Sequence, residues 1–366
     1  MARKHDLTEN EKELLTVLGR NPEMSMKELV NHTHYRWTSS IVKKIKWFRD
    51  QDILAGPVCI VDCGRLCRNV VRRLFCIIEF NRSYETVLEY LSLIEPLISI
   101  YLVLSPHRKI LGAVFFSSDP EQITALLQLL KDSNIITDFL VRVQHHKKIF
   151  ENPNFFGDPV PSLDGLLNSC EFPDTSYGSH TVEWSECDIR TLSHLQGGYE
   201  SIKLIEILKR ERKLKRTWTY EQIKYSYQKM SENKLIRKLY YIVPYSLDLC
   251  ADFYLFIKTD NEDLTSTILY NFARGGRVYK EYAFCDDWGL IGCVCHPHLV
   301  IDLMHKLDHV DVITEKELYH LRSFPPGMQY MGGHNEFTYY DVETQTLEYP
   351  YPVFREKIKE KMESEM

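Results

Sequence analysis

The stretch YRWTSSIVKKIKWFRDQDIL, residues 35–54, has a second version in the same chain, TWTYEQIKYSYQKMSENKLI, residues 217–236. In both stretches apolar side chains recur at positions i, i+4 and i+7, a spacing that predicts one buried stripe along a helix. We therefore expect two copies of one helical unit, 182 residues apart. The stripe consists of Ile41, Ile45 and Phe48 in the first version and of Ile223, Tyr227 and Met230 in the second.

The remaining faces of the two predicted helices are basic and rich in hydrogen-bonding groups. A short helix of this kind is typical of the reading helix of a winged helix-turn-helix, which enters a DNA major groove. An ordinary amphipathic helix with a solvated face gives the same pattern, so this alternative stays open. The candidate DNA contacts in and around the two helices are Arg36, Trp37, Thr38, Ser40, Lys43, Lys44, Lys46, Trp47, Lys215, Arg216, Thr219, Gln222, Tyr225, Gln228 and Lys229.

The residues before the two helices are also similar, RWT at 36–38 and RTWT at 216–219. In the DNA interpretation the threonines cap the helices and help to hold phosphate, while the arginines contact the DNA backbone. In the alternative interpretation the tryptophans anchor the core and the arginines are merely solvated. The candidates for contact with base edges are Ser40, Trp47, Gln222, Tyr225 and Gln228.

The stretch after the first reading helix predicts a wing. Asp62-Cys63-Gly64 is a plausible turn between two short strands, which would form a hairpin. Arg65 and Arg68 follow this turn, where they would lie close to the DNA phosphates. We include both arginines among the candidate DNA contacts.

From residue 73 strands and helices alternate, and after residue 249 the same order returns. The order βαββαβ predicts a ferredoxin-like sandwich, in which two helices cover one face of an antiparallel sheet. The fold class is therefore α+β, a tandem repeat of winged helix-turn-helix and ferredoxin-like sandwich. The predicted parts are a first winged helix (1–72), a first sandwich (73–150), an acidic linker rich in Pro and Gly (151–186), a second winged helix (187–248), a second sandwich (249–324) and a C-terminal tail (325–366) with a short charged helix near 354–362.

Charge is strongly segregated along the chain. The overall charge of −6 disfavours nucleic acid, yet residues 1–80 sum to +4 and residues 191–245 to +7. The linker region 151–190 sums to −7, and residues 246–366 sum to −10. The positive charge thus lies in the segments with the predicted reading helices, where a phosphate-binding surface is expected.

Composition fits a protein of several packed domains, with 44% hydrophobic and 12% aromatic residues. No apolar run reaches the roughly 20 residues of a membrane helix, and the N-terminus lacks the apolar core of a signal peptide. Ten scattered cysteines fit reduced thiols better than a disulfide framework. We therefore expect a cytoplasmic protein with no membrane partner.

Three local stretches carry a resemblance to a known family: ENEKELLTVL (residues 9–18, in a first helix), SENKLIRKLYYI (231–242) and EYAFCDDWGLIGCVC (281–295). Together with the order of elements, they resemble the Lrp/AsnC (feast/famine) transcriptional regulators, with two units fused in tandem over residues 5–146 and 187–324. The resemblance implies a sequence-specific regulator that binds double-stranded DNA. It also implies pairing of the two sandwiches within one chain, so that two non-identical heads would read an asymmetric site.

In that family the sandwiches bind small effectors at their pairing surface, and further association into a homo-oligomer is left open. The equivalent hairpins here would supply His107, Arg108, Asp286, Asp287 and Trp288. The first hairpin lacks the acidic residues of the family pattern. Solvated turn tips would give the same residues, so the effector site is an alternative rather than a conclusion.

Two groups of cysteines and histidines invite a metal or redox interpretation. Cys59, Cys63 and Cys67 are spaced C-x3-C-x3-C, and residues 293–298 read CVCHPH. A structural zinc site needs about four converging ligands, and paired C-x2-C spacings would be the stronger signal. We predict no metal site and no cofactor, and leave redox sensing by a thiol pair open.

For catalysis the chain has no nucleophile–base order, Gly-rich phosphate loop or paired-carboxylate signature, so we predict that it is not an enzyme. One enzymatic alternative remains, because the siroheme decarboxylases are similar to the Lrp/AsnC plan and use basic side chains near a tetrapyrrole carboxylate. By that resemblance the candidates would be His107, Arg108, His296 and His298. A protein-binding scaffold with degenerate heads is the third alternative.

Overall fold

The computed structural model describes residues 7–196, 202–322 and 337–365. Three helices build the first head: α1 (Glu9–Arg20), α2 (Met26–Asn31) and α3 (Thr38–Asp50). Capping boxes begin α1 at Thr8 and α2 at Ser25. In each box the capping side chain accepts a hydrogen bond from the amide of a glutamate at position N3, and that glutamate side chain accepts one from the amide of the capping residue. The predicted stripe of α3, Ile41, Ile45 and Phe48, is buried.

The second head repeats this arrangement with α7 (Glu186–Gln196), α8 (Leu204–Lys213) and α9 (Tyr220–Glu232). Thr219 caps α9 and shares a capping box with Gln222, as predicted. The prediction for Thr38 is wrong, since Thr38 is the first helical residue of α3. The N-cap there is Trp37, which makes no side-chain capping bond.

The predicted first wing is not a hairpin. The strand β1 (Leu54–Val61) pairs with β7 (Ile236–Ile242) of the second repeat, and the two run antiparallel with Val61 opposite Ile236. Asp62 does not form a turn between strands, because its carboxylate accepts the amide of Gly64 and begins the short helix α4 (Cys63–Leu66). Each repeat thus supplies one strand to a ribbon that joins the two heads.

The rest of the chain forms the two βαββαβ units, which confirms the α+β fold class. Their elements follow the predicted order, except that the last helix of the second unit is split in two. The first unit is β2 (Arg72–Phe80), α5 (Tyr84–Leu91), β3 (Leu97–Val103), β4 (Lys109–Ser117), α6 (Pro120–Asp132) and β5 (Asp138–Gln144). The second is β8 (Ala251–Thr259), α10 (Glu262–Asn271), β9 (Tyr279–Cys285), β10 (Trp288–Cys295), α11 (Pro297–Ile301), α12 (Leu303–Asp308) and β11 (Ile313–Arg322).

The two sheets join into one. Strand β3 pairs with β11 through Leu321 opposite Val103, and β5 meets β9 where Gln144 lies opposite Cys285. The resulting order is β10-β8-β11-β3-β4-β2-β5-β9, and β9 also pairs with β10, so the pairing closes on itself. A further short strand, β6 (Ile149–Glu151), extends β9. Both repeats therefore contribute to every edge at which the sheets meet.

Apolar residues of each unit pack beneath its helices, and a third cluster lies on the other face of the joined sheet. That cluster includes Phe75, Phe256 and Trp288. Between the two aromatic rings of Phe256 and Trp288 lies the guanidinium of Arg142, whose side chain is 5% exposed and which pairs with Glu317 at 2.9 Å. The charge is tolerated there because it is both stacked and paired.

The C-terminal segment folds back on the first repeat. A short pair of strands, β12 (Tyr340–Asp341) and β13 (Thr346–Leu347), precedes α13 (Tyr351–Ser364). The helix confirms the short charged helix that the sequence predicts near the C-terminus. Phe354 and Ile358 of α13 enter the core of the first sandwich. Residues 325–336 of the predicted tail lie outside the described residues, and among those described no helix has the length and apolar character needed to cross a membrane.

Candidate functional site

A cavity of about 640 Å³ lies where the ribbon, the joined sheet and the linker meet. The ribbon contributes residues 60–63 of the first repeat and 234–237 of the second, while the sheet contributes Arg73, Gln144 and residues 147–150. The linker closes the remaining side with Asp174 and Tyr177. A volume of this size is typical of small-molecule sites. Both repeats are therefore needed to form it.

The segment between β5 and β6 has the sequence QHHKK, residues 144–148, and it brings several of the polar groups to the cavity. Gln144 ends β5 opposite Cys285, and the amide of His145 donates to the carbonyl of Phe284 at 3.2 Å. The chain thus passes from the first sheet onto the second. Lys147 and Lys148 are fixed at the junction by the strands that flank them.

Basic side chains outnumber acidic ones in the cavity wall. Lys147 and Arg65 pair with Asp62 at 2.8 and 3.4 Å, and Lys148 pairs with Glu281 at 2.6 Å. The other three basic side chains form no ion pair with any residue in the described ranges, so positive charge is left for a ligand. The basic residues are Arg65, Arg73, Lys147, Lys148, Lys234 and Arg237, and the acidic ones are Glu23, Asp62 and Asp174.

Two glycines let the linker approach the first repeat closely. A Cβ on Gly64 would collide with the carbonyl oxygen of Gly178, and a Cβ on Gly178 would collide with the side chain of Arg65. The amide of Gly178 donates to both carboxylate oxygens of Asp62, at 3.2 and 3.1 Å. The amide of Lys147 donates to the carbonyl of Thr175 at 2.7 Å. These contacts hold Tyr177 against the cavity.

Gln144 and Tyr177 form a polar pair in the wall. Gln144 is buried, and its amide nitrogen donates to the carbonyl of His146 and to the hydroxyl of Tyr177, the latter at 3.2 Å. Its Oε1 atom has no hydrogen-bond partner in the described part of the chain. Burial raises the pKa of Tyr177 above its usual value, so its hydroxyl is protonated at neutral pH.

The residues predicted to contact DNA from the first head lie on one surface but differ in their partners. Arg36, Trp37 and Thr38 are exposed, and Ser40 is half-buried. Lys43 and Lys46 are also exposed and make no ion pair within the described ranges. Lys44 pairs with the buried Glu11 at 2.6 Å, and it lies over the ring of Trp47 at 4.6 Å.

In the second head several of the predicted contacts are engaged elsewhere. Lys229 pairs with the buried Asp188 at 2.7 Å and lies over Trp184, and Arg216 pairs with Glu186. Lys215, Thr219, Gln222, Tyr225 and Gln228 are exposed. Of the predicted wing arginines, Arg65 lines the cavity and Arg68 pairs with Glu183. The assignment of these residues to DNA stays a prediction.

The two hairpins predicted to bind an effector differ in their contacts: the first pairs within its own repeat, while the second also contacts the first repeat. Arg108 pairs with Glu79 at 2.8 Å, and Asp287 pairs with Lys258 at 2.6 Å. His107 is exposed, while Trp288 is buried beneath Arg142. The carboxylate of Asp286 accepts a hydrogen bond from the amide of Val143 at 2.9 Å, and it lies 3.0 Å from Nε2 of His145. The effector role of all five residues stays a prediction.

The remaining candidates do not converge. His296 caps α11, and its ring lies 5.0 Å from that of His298, near Tyr245 rather than at the cavity. Burial raises the pKa of Cys59 and of Cys63 to about 11, so both are thiols at neutral pH. Within residues 7–196, 202–322 and 337–365 no group of three or more His, Cys, Asp or Glu side chains is arranged to hold a metal.

The residues that unite in the cavity were largely missed from the sequence. Of the lining residues, the sequence singles out Arg65 for contact with DNA and Cys63 for a possible metal or redox role. The run HHKK at 145–148 is a signal that could have been used, because its two lysines line the cavity. Arg73 and Arg237 carry no local signal, because they lie on β2 and β7 and come together only in the fold.

The whole chain shares its fold with solved structures. The crystal structure of the siroheme decarboxylase NirDL has a TM-score of 0.52 and 12% identity, covering 97% of this chain and 99% of that chain. Its complex with an iron-uroporphyrin III analogue has a TM-score of 0.52 and 13% identity, covering 98% and 100%. No protein-family model and no curated protein matches the chain.

The predicted resemblance to Lrp/AsnC regulators is found over part of the chain only. The leucine response regulatory protein of Mycobacterium tuberculosis is 13% identical and covers 37% of this chain and 91% of that chain, with a TM-score of 0.29. This likeness is too low to support a conclusion. The prediction that the chain is not an enzyme is contradicted, because the fold that it shares from end to end is that of an enzyme.

Proposed function

We propose that the chain binds a carboxylate-rich tetrapyrrole in the cationic cavity and removes carboxyl groups from its side chains, as an enzyme similar to siroheme decarboxylase. The observation that carries the proposal is the set of three cavity cations, Arg73, Lys234 and Arg237, without acidic partners among the described residues. Support comes from the fold that the chain shares with an enzyme solved in complex with an iron-uroporphyrin III analogue. The tetrapyrrole enzyme that the sequence left open as an alternative thereby becomes the main proposal.

The chemistry of such a ligand complements the cavity. A uroporphyrin-type macrocycle carries an acetate and a propionate on each pyrrole ring, so it is flat, apolar at its centre and strongly anionic at its edge. Unpaired guanidinium and ammonium groups bind carboxylates through charge-assisted hydrogen bonds. The wall also offers apolar surface from Ile149 and Phe150 beside the cations. The cavity can thus bind both parts of the macrocycle.

The reaction would need few protein groups. An acetate side chain –CH2–COO⁻ loses CO2, the ring delocalises the electron pair left on the methylene carbon, and one proton converts it to –CH3. The cations would hold the carboxylates that remain, which orients the macrocycle and keeps the reacting carboxylate in place. The packed linker would limit the access of water to the cavity.

The test is a visible-absorbance titration of the full chain with iron-uroporphyrin III, followed by mass spectrometry of siroheme incubated with the protein. We expect saturable binding, and products lighter by successive losses of CO2. The triple variant Arg73→Ala, Lys234→Ala, Arg237→Ala should bind at least about 100-fold more weakly, since each lost charge contact costs about one factor of ten or more. Lys43→Ala, Lys46→Ala is the matched control, because both lysines are exposed on the first head.

Two results would contradict the proposal: wild-type protein that leaves the absorbance of iron-uroporphyrin unchanged, or a triple variant that binds as tightly as the control. Binding without loss of CO2 would support the binding of a tetrapyrrole but contradict the proposed decarboxylation. Circular dichroism of the triple variant checks that its fold is intact. The three substituted side chains have no ion pairs among the described residues, so we expect little change in stability.

A second candidate function is DNA binding by the first head, and one observation favours it. Lys43 and Lys46 project from α3 into solvent without ion pairs to described residues, and Arg36 is exposed beside them. Such a surface suits phosphate contacts that release counterions. The test is enrichment of duplexes from a random library at two salt concentrations. Binding that is absent, or that does not weaken with salt, would exclude this function.

A further inference from the structure

We propose that Tyr177 is the proton donor of the reaction in the cavity. The inference rests on the proposed decarboxylation and deepens it, because loss of CO2 leaves an electron pair that must receive one proton. Tyr177 lines the cavity and comes from the linker between the two repeats, a segment that sequence reasoning treated as a connection only. Whether Tyr177 can donate a proton to a ligand depends on the direction of its O–H bond.

The hydrogen bonds of Gln144 determine the direction of that proton. The amide nitrogen of Gln144 must be oriented toward the carbonyl of His146, which can only accept. The same nitrogen then donates to the hydroxyl oxygen of Tyr177 at 3.2 Å. The oxygen of Tyr177 is thus an acceptor in this pair, and its own proton has no acceptor among the described residues. The proton remains available to a molecule in the cavity.

The neighbours of Tyr177 suit the change in charge that donation requires. The guanidinium of Arg72 lies 5.7 Å from the centre of its ring, and Arg73 also faces the cavity. Burial raises the pKa of Tyr177 overall, as do Cys63 and Asp62, while the positive charges of Arg73 and Arg72 oppose that rise and so ease the loss of the proton. Gln144 continues to donate to the oxygen after transfer, and that bond strengthens as the oxygen becomes negative.

The proton balance is complete without any oxidant or reductant. The carbon–carbon bond of the acetate breaks and its electron pair stays with the ring-bound methylene, while CO2 leaves. The O–H bond of Tyr177 breaks and a C–H bond forms, giving a methyl group and tyrosinate. Water then returns a proton to the tyrosinate. The sum is –CH2–COO⁻ plus H⁺ to –CH3 plus CO2.

The position of Tyr177 is fixed by backbone contacts rather than by its own hydroxyl. Gly178 is bound to Asp62 and packed against Gly64, and Thr175 is bound to Lys147. Removing the hydroxyl therefore leaves the linker in place. The variant Tyr177→Phe separates a chemical role from a structural one.

The experiment compares wild type, Tyr177→Phe and Tyr225→Phe in the full chain. Tyr225 is an exposed tyrosine of α9 and serves as the matched control. We expect Tyr177→Phe to bind iron-uroporphyrin III within about twofold of wild type, and to lower kcat for loss of CO2 from siroheme by about 100-fold or more, the usual contribution of a positioned acid. A fluorinated tyrosine at position 177, which has a more acidic hydroxyl, should change kcat while leaving the binding of iron-uroporphyrin III unchanged.

The outcomes distinguish the two levels of inference. If wild type neither binds iron-uroporphyrin nor releases CO2 from siroheme, the proposed function fails and the role of Tyr177 fails with it. If wild type is active and Tyr177→Phe keeps kcat within about threefold, only the proton-donor role is overturned. A Tyr177→Phe variant that loses binding and activity together would show a structural role and would also overturn it.

Discussion

Lys43 and Lys46 of the first head project into solvent, whereas Lys229 on the equivalent helix of the second head is bound to the buried carboxylate of Asp188 at 2.7 Å. Each head has three helices, but the predicted stripe is buried in full only in the first. In the second head Ile223 and Met230 are buried as predicted, whereas Tyr227 is half-buried and Ser226 is buried in its place. They differ in where the lysines of the third helix bind: Lys229 pairs with a buried carboxylate, whereas Lys43 and Lys46 face solvent. A repeated fold thus does not imply a repeated function, because charge placement is decided residue by residue.

Buried carboxylates show the same divergence. Glu11 of the first head is bound by one side-chain cation, Lys44, at 2.6 Å. Glu211 of the second head is bound by Arg190 at 3.1 Å and by His194 at 2.7 Å. The second head also receives Phe337 and Tyr340 of the C-terminal segment into its core. The C-terminal segment therefore adds to the packing of the second head in the described part of the chain.

The largest effect is expected for Glu211→Ala. Its side chain is 1% exposed, and removal would leave Arg190 and His194 without their carboxylate, at a cost of roughly 3 kcal/mol in the free energy of unfolding. Urea unfolding measures the change, with Glu206→Ala on the exposed face of the same helix as control. A loss no larger than that of the control would mean that the network does not hold the second head.

A smaller loss is expected for Gln345→Ala, which tests the C-terminal attachment of the second head. Gln345 is buried, accepts from the amide of Trp184 at 2.7 Å and from the hydroxyl of Tyr340 at 2.9 Å, and donates to the carbonyl of Trp184 at 2.9 Å. Truncation leaves these groups unpaired, at a cost of about 2 kcal/mol.

Hydrogen exchange should locate that loss. We expect faster exchange in residues 337–349 and in α7 than in α1–α3, because in the described part of the chain this segment packs against α7 and bonds to residues 66–69 but not to α1–α3. Gln228→Ala, an exposed glutamine of α9, is the control. Equal acceleration in both heads would show that the C-terminal segment stabilises the whole fold and not the second head.

Local periodicity predicted the helices and strands well, because each depends on residues a few positions apart. The stripe of Ile41, Ile45 and Phe48 is buried as predicted. The pairing of β1 with β7 was missed, since the sequence holds no signal for a strand partner 182 residues away. Asp62-Cys63-Gly64 misled for a related reason: an aspartate followed by a small residue begins a helix as readily as it forms a turn.

The cavity could not be predicted from local sequence patterns. Arg73, Gln144, Tyr177 and Arg237 come from four separate segments, and each is unremarkable in its own stretch. The strongest local pattern, the two basic helices, pointed to DNA. Whole-segment charge supported that interpretation, yet it could not tell cations paired inside a head, such as Lys229, from those free in solvent, such as Lys43.

A pH-dependent difference is expected between the heads. Burial alone would raise the pKa of Glu11, but the hydrogen bonds from Lys44 and Thr8 lower it overall from 4.5. A carboxylate whose pKa is depressed by folding stabilises the fold above its unfolded pKa, and that contribution is lost as pH falls through the folded value. Glu11→Gln should therefore cost about 1 kcal/mol at pH 7 and progressively less as the pH falls toward 3.

Urea unfolding at the two pH values measures this difference, with the exposed Glu9→Gln as control. For Glu211, burial again opposes the hydrogen bonds from His194 and Arg190, which lower its pKa overall. The second head should thus lose stability over the same acidic range. A Glu11→Gln variant that is equally destabilised at both pH values would show that the ion pair with Lys44 contributes nothing.

The smallest effect concerns the exposed lysines and separates the heads most directly. Lys43→Ala, Lys46→Ala should leave unfolding and tetrapyrrole binding unchanged, since both side chains are solvated. If the first head contacts DNA phosphate, the slope of log K against log salt should fall by about 2, one for each lysine. The comparison variant in the second head, Lys215→Ala, Lys224→Ala, should change the slope less, because Lys224 lies 3.8 Å from Glu221. Equal changes of this slope in both variants would mean that the outer faces of the heads have not diverged. If neither variant changed the slope, the exposed lysines of α3 would serve solubility, and the cavity would be left as the functional surface.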